Sequence, residues 1–228
     1  MNRDAAESLP ASTRSSRVLR ARLRAATRPS LDVHASWWPP GWRATSPVAL
    51  GEGGHQAGSR WLQRAHSVPD AAQAAARPDG PIERLAWMEG RELRRLALFC
   101  GFVAHRDHFE TPGLALEMWR QARRLDRDLP DFALSRWPSC PALAMSPRAL
   151  VQRPRAAGRM VVRRSYQLML GLLAAQGEAL WRSARVKFPR SHGQVAPPAM
   201  PPERRQVYEE LLFMCALPER FGSWDWLF

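Results

Sequence analysis

Twenty prolines in 228 residues cut this chain into short pieces. Proline fixes φ and lacks an amide hydrogen, so it opens a helix well and interrupts one badly. Pro39, Pro40, Pro112, Pro130, Pro138, Pro147, Pro154, Pro189 and Pro202 therefore read as boundaries. Between them apolar residues recur three and four positions apart, the spacing of one helix face. No run alternates apolar and polar residues for long enough to make a strand, and no internal repeat is present. The fold class that follows is all-α: a single irregular helical domain with a disordered basic N-terminal arm.

Four regions follow from the punctuation. Residues 1–30 form a flexible Arg-rich arm, in which Val18, Leu19 and Leu23 suffice for a turn or two of helix. Residues 31–80 hold a Trp/Pro anchor and then a Gly/Ala/Pro-rich linker around one short helix near 60–66. Trp37, Trp38 and Trp42 each have roughly 150–250 Å² of ring surface to bury, so the anchor is expected to clamp onto the helices. Residues 81–190 are the helical core. A helix over 81–109 carries Leu93, Leu96, Cys100 and Val103 in one stripe and is apolar all round from Leu96. A second over 111–127 buries Ala115, Met118, Trp119, Ala122 and Leu125. A short piece over 128–137 and a turn at 146–154 precede a long helix over 155–186. Gly171 and Gly177 mark candidate close crossings on it. Residues 191–228 supply a proline linker, a final helix over 203–216 that buries Val207, Leu211, Met214 and Cys215, and an aromatic tail.

The net charge is +13. Lys187 is the only lysine; the other basic residues are arginines. Arginine, alanine and proline all have GC-rich codons, which gives the excess a compositional explanation. Its distribution is nevertheless uneven. Between Pro138 and Arg190 the only acidic residue is Glu178, whereas the chain beyond Ser191 is net acidic. Such asymmetry favours contact with an acidic surface. The longest apolar stretches, 96–104 and 168–175, fall short of the ~20 residues a membrane span needs. No secretory signal pattern appears near Met1, so a reducing, cytoplasmic setting is expected. Three cysteines cannot pair completely, and Cys100, Cys140 and Cys215 lie far apart in sequence, which argues against a disulfide scaffold and a cysteine zinc site.

Catalytic patterns are missing. The sequence has no phosphate-binding glycine loop, no dinucleotide fingerprint and no nucleophile elbow. His105, His108 and Glu110 are close enough to suggest metal ligation, but further ligands would have to come from loops. They read more simply as a polar helix end, with His⁺ and Arg offsetting the C-terminal dipole. Cys100 and Cys215 sit on apolar faces, where a thiol packs rather than reacts. No catalytic, cofactor-binding or metal residue is assigned, and no cofactor is implied. A nucleic-acid groove is the alternative: Arg153, Arg155, Arg159, Arg163, Arg164, Arg182, Arg185, Lys187 and Arg190 would line it, with Trp181 as a stacking platform. Trp181 adjoins the apolar stripe and reads as core, and no nucleic-acid-binding signature accompanies it.

The order of motifs resembles the SctK or YscK family of type III secretion accessory proteins, including Hrp-type versions. The resemblance runs from Ala35 to Pro189. It is carried by Ala35-Ser-Trp-Trp-Pro-Pro40, by the helix Arg94-Arg-Leu-Ala-Leu-Phe-Cys-Gly-Phe-Val-Ala-His105, by Asp131-Phe-Ala-Leu134, and above all by Leu180-Trp-Arg-Ser-Ala-Arg-Val-Lys-Phe-Pro189. The resemblance implies a non-enzymatic adaptor of the injectisome sorting platform at the cytoplasmic face of the inner membrane. Its partners would be the C-ring protein (SctQ type) and the inner-membrane ring protein (SctD type). With the charge asymmetry, the expected contacts are Arg155, Arg159, Arg163 and Arg164 on an acidic partner surface. Trp224 and Trp226 would be interface anchors, unless the tail folds back on the core.

Overall fold

The computed structural model describes residues 11–42, 51–70, 73, 80–135, 140–197 and 199–228. All regular structure among them is helical, in one helical domain.

The centre is α4 (Gly90–Ala104), defined after α1 (Ala11–Thr27), α2 (Gly51–His66) and α3 (Pro81–Leu85). Every residue of α4 from Leu96 to Ala104 is buried, as its all-round apolar sequence requires. The helix packs across α8 (Ala157–Ala175), the other strongly apolar segment. At their crossing Gly101 faces Ser165, and a Cβ on Gly101 would overlap the Ser165 side chain. Ser165 Oγ is turned inward to donate to the Val161 carbonyl at 2.8 Å. Two small residues thus set how closely the main helices approach.

Around this pair sit α5 (Ala115–Leu125), α6 (Leu129–Ser135), the single turn α7 (Pro147–Val151), α9 (Glu178–Arg185) and α10 (Arg190–Gly193). Phe99 of α4 meets Phe132 of α6 at 5.2 Å and Phe221 of the tail at 5.8 Å between ring centroids. A last rod, α11 (Pro202–Glu210), continues through a wide π-helical stretch at Leu211–Ala216 into Leu217–Arg220. It buries Tyr208, Leu211, Leu212, Cys215, Ala216 and Leu217. Met214, expected inside, is 70% exposed. The i→i+5 turns rotate side chains away from a 3.6-residue register, which the sequence periodicity presumed.

Several boundaries differ from expectation. The single helix expected over 81–109 is interrupted at residues 86–89, where the Ala86 and Met88 carbonyls accept hydrogen bonds from Lys187 instead. The helix expected over 155–186 breaks at Gly177, whose φ of +131° L side chains rarely adopt. Most of the region read as a flexible arm is the helix α1, which packs Ala21, Val18 and Ala25 against the core and meets the tail. Residues 1–10 of that arm lie outside the described residues. The short helix expected near 60–66 is the end of the sixteen-residue α2. Its buried face is made of His55, Gly58, Ser59 and Leu62, too polar and small for an apolar stripe to announce. The rest of the expected linker falls mainly in 43–50 and 71–79, where only Gln73 is described.

Candidate partner-binding surfaces

The anchor and the end of α9 are one structure. Trp37 and Trp38 are buried with Val33, Leu62, Val68 and Val186 in a cluster beside the main core. Trp37 Nε1 donates to the Phe188 carbonyl at 2.7 Å. The amide of His34 donates to the Val186 carbonyl at 2.8 Å, and Ser36 Oγ accepts from the amide of Arg190 at 2.8 Å. Residues 34–37 therefore satisfy polar backbone groups of the stretch that joins α9 to α10.

Lys187 lies inside this junction. Its Nζ donates to Ala86 O at 2.8 Å and to Met88 O at 2.6 Å. It stands 3.5 Å from Asp32 Oδ2. Asp32 also faces Arg24 at 3.5 Å and accepts from the amide of Gly90 at 3.4 Å. Burial pulls the Lys187 pKa down, and the Asp32 carboxylate opposes that pull. The ammonium is spent on the fold, so Lys187 is not part of a basic groove.

The histidines at the end of α4 are also internal. His105 is 1% exposed. Its Nε2 accepts from the amide of Met145 at 2.9 Å, which leaves Nδ1 to donate to the Gly101 carbonyl at 2.7 Å. His108 Nε2 donates to the Met145 carbonyl at 3.0 Å. The two rings thus grip both sides of one residue in the segment leading to α7. Burial pushes the His105 pKa down to about 4. His105 is neutral at physiological pH, so the expected cationic offset to the helix dipole is not made by this ring. Among the described residues no group of His, Cys, Asp or Glu side chains is placed to hold a metal ion.

The residues proposed for partner contact separate into two places. Arg155, Arg159 and Arg163 are exposed at intervals of four residues, Arg155 in the turn before α8 and the other two on its first turns. Neither they nor Arg153 form an ion pair with any described residue. Arg164 is half-buried, with Nε 3.4 Å from the Leu143 carbonyl; burial and the nearby Arg204 lower its pKa. The other basic residues of the expected groove are engaged elsewhere. Arg182 pairs with Glu178. Arg185 lies 4.7 Å over the Trp181 ring and donates to the His66 carbonyl at 2.7 Å. Arg190 lies over Trp37. Trp181 is half-buried against the core.

At the other place, Trp224 and Trp226 stack with centroids 5.6 Å apart and planes 26° from parallel. Both are half-buried. They border a shallow hollow with Ala21, Glu89 and the Arg17, Arg20 and Arg24 side chains. The tail is folded onto α1, and Arg14 donates to the Asp225 carbonyl at 3.2 Å. Nothing in the apolar pattern of the first thirty residues foretold this pairing, because the contact is made by alanines and arginine stems.

Fold and surfaces together define an all-helical unit in which Lys187, Asp32 and His105 join its own segments, and in which Arg155, Arg159 and Arg163 form one exposed basic row among several exposed arginines. Comparison with family models, with curated proteins and with solved structures finds no match. No described helix is long and apolar enough to cross a membrane.

Proposed function

We propose that this chain is a non-enzymatic adaptor of a bacterial type III secretion system. In this reading it belongs to the cytoplasmic sorting platform and links the inner-membrane ring protein (SctD type) to the C-ring protein (SctQ type). The observation that carries the reading is the junction between two of the motifs that carry the SctK or YscK resemblance. Trp37 of the Trp-Trp-Pro-Pro segment donates to Phe188 of the Arg-Val-Lys-Phe-Pro segment, and Lys187 of the same segment is tied to the turn before α4. Residues that share contacts are expected to form a recognisable combination, because each is useful only with the other.

The conspicuous ionisable groups fit a part that holds shape. Lys187, Asp32 and His105 hold backbone groups, while the arginines of α8 point outward. Outward charge of one sign steers and orients an acidic partner more than it adds affinity. The test is co-expression of the tagged chain with the SctQ-type protein and the cytoplasmic domain of the SctD-type protein. A complex with either one at physiological salt is expected, and recovery of neither contradicts the proposal.

The row Arg155, Arg159 and Arg163 also favours a second reading, a basic nucleic-acid-binding or regulatory protein. That reading predicts retention on RNA or heparin at physiological salt, falling steeply as salt rises.

A further inference from the structure

A groove of about 470 Å³ runs between α8 and the segment that leads into α7. Ala144, Met145 and Met160 give it an apolar floor, and Arg153, Arg163 and Arg164 stand around its edge. We infer that this groove binds an acidic, amphipathic segment of a partner protein, with the apolar side chains of that segment on the methionines and its carboxylates on the arginines.

Three observations carry the assignment. First, the groove has the volume of sites that bury a ligand or several side chains, about 300–1,000 Å³. Second, its charge is of one sign. Arg153 and Arg163 pair with no described acid, and Arg159 and Arg155 carry the same charge four and eight residues before Arg163. Glu178 is the only acidic residue anywhere between Pro138 and Arg190. Third, one wall is fixed in advance. Met145 is held through its amide by His105 and through its carbonyl by His108, so binding has little loop ordering to offset.

The floor distinguishes between two anionic classes. Single-stranded nucleic acid is held by aromatic platforms on which bases stack. Among the described residues that line this groove there is none, and Trp181, the aromatic residue expected for that role, is packed against the core beneath Arg185. Thioether side chains adapt to varied aliphatic and aromatic partners and recur at peptide-binding surfaces. The adaptor reading supplies the setting in which such a partner would be a platform protein; the chemistry of the partner rests on the groove alone.

The test uses the full chain and a fluorescein-labelled helical peptide built of Leu and Glu, followed by anisotropy at physiological salt. A Leu and Gln peptide of the same pattern and a single-stranded RNA serve as comparisons. Binding of the Leu and Glu peptide is expected, with affinity reduced about tenfold or more in the Arg153→Glu, Arg163→Glu double variant. Both arginines are exposed, and an unchanged thermal melt verifies the fold of the variant. Met160→Ser is expected to weaken the peptide several-fold through the apolar floor, independently of charge. Equal binding by wild type and double variant overturns the inference, as does binding of RNA but not of the peptide. A chain that co-purifies with a platform protein yet ignores the peptide loses the groove and keeps the adaptor reading. A chain that binds the peptide but recovers no platform protein does the reverse.

Discussion

Lys187 Nζ lies 3.5 Å from Asp32 Oδ2, with both side chains about 95% buried. The pair joins the turn after Leu31 to the end of α9, and the two carbonyl contacts of Lys187 extend the link to residues 86–88. A buried ion pair adds little net stability over an apolar replacement, but removing one partner strands the other. Lys187→Met is predicted to cost about 3–5 kcal/mol, because Asp32 is left buried beside Arg24 alone and two carbonyls lose their donor. Urea denaturation followed by circular dichroism measures it. The double variant Lys187→Met, Asp32→Asn should recover part of that loss; a Lys187→Met protein as stable as wild type would show that the link carries no energy.

Acid should weaken the fold through His105. Its pKa is about 4 in the folded chain and about 6.5 when unfolded. Between those values the unfolded state binds a proton that the folded state refuses. Stability is therefore intact above pH ~6.5 and falls as pH drops toward ~4, by about 3 kcal/mol from this ring. Burial shifts His34, His66 and His192 in the same direction and adds to the slope. Denaturation midpoints across this range should show a shallower acid loss in His105→Gln than in wild type, even if that variant is less stable at neutral pH.

Gly101→Val should be among the most damaging changes at the crossing of α4 and α8. The new side chain has no space against Ser165, and overpacking of a tight contact costs about 1–3 kcal/mol or more. The companion Ser165→Gly is predicted to relieve part of the strain. Additive losses in the double variant, read from thermal melts, would contradict the close contact.

Trp37→Phe keeps most of the ring and deletes the Nε1 donor. The buried Phe188 carbonyl then loses its partner, at about 1–3 kcal/mol. Hydrogen exchange should rise at the His34 and Arg190 amides, which belong to the same junction. Protection unchanged at both would separate the anchor from the end of α9.

The helical class was legible because proline boundaries and three-four spacing act locally. α4, α7 and the burial of Cys100 and Cys215 follow from them directly. What the sequence concealed depends on partners distant along the chain. At the break over residues 86–89 the Ala86 and Met88 carbonyls are bound by Lys187, about a hundred residues away. By sequence Lys187 is one more cation of a basic surface, because nothing near it in the chain shows that Asp32 packs beside it. α1 buries alanines, and α2 buries glycine, serine and histidine around the single leucine Leu62, so neither shows an apolar stripe. An α-helical count puts Met214 inside, but the wider π turn at Leu211–Ala216 carries it to the surface. For the partner surface, the arginines of α8 were readable as a charge block, but the groove beside them was not, since Met145 and Met160 meet there only through the fold.

The claim that this chain joins other proteins is tested most directly in a bacterium carrying it, by deleting its gene while the SctQ-type protein bears a fluorescent tag. Loss of membrane-associated foci and of secretion, both restored by the wild-type gene, is the predicted result. Foci and secretion that persist unchanged without the chain would contradict the account.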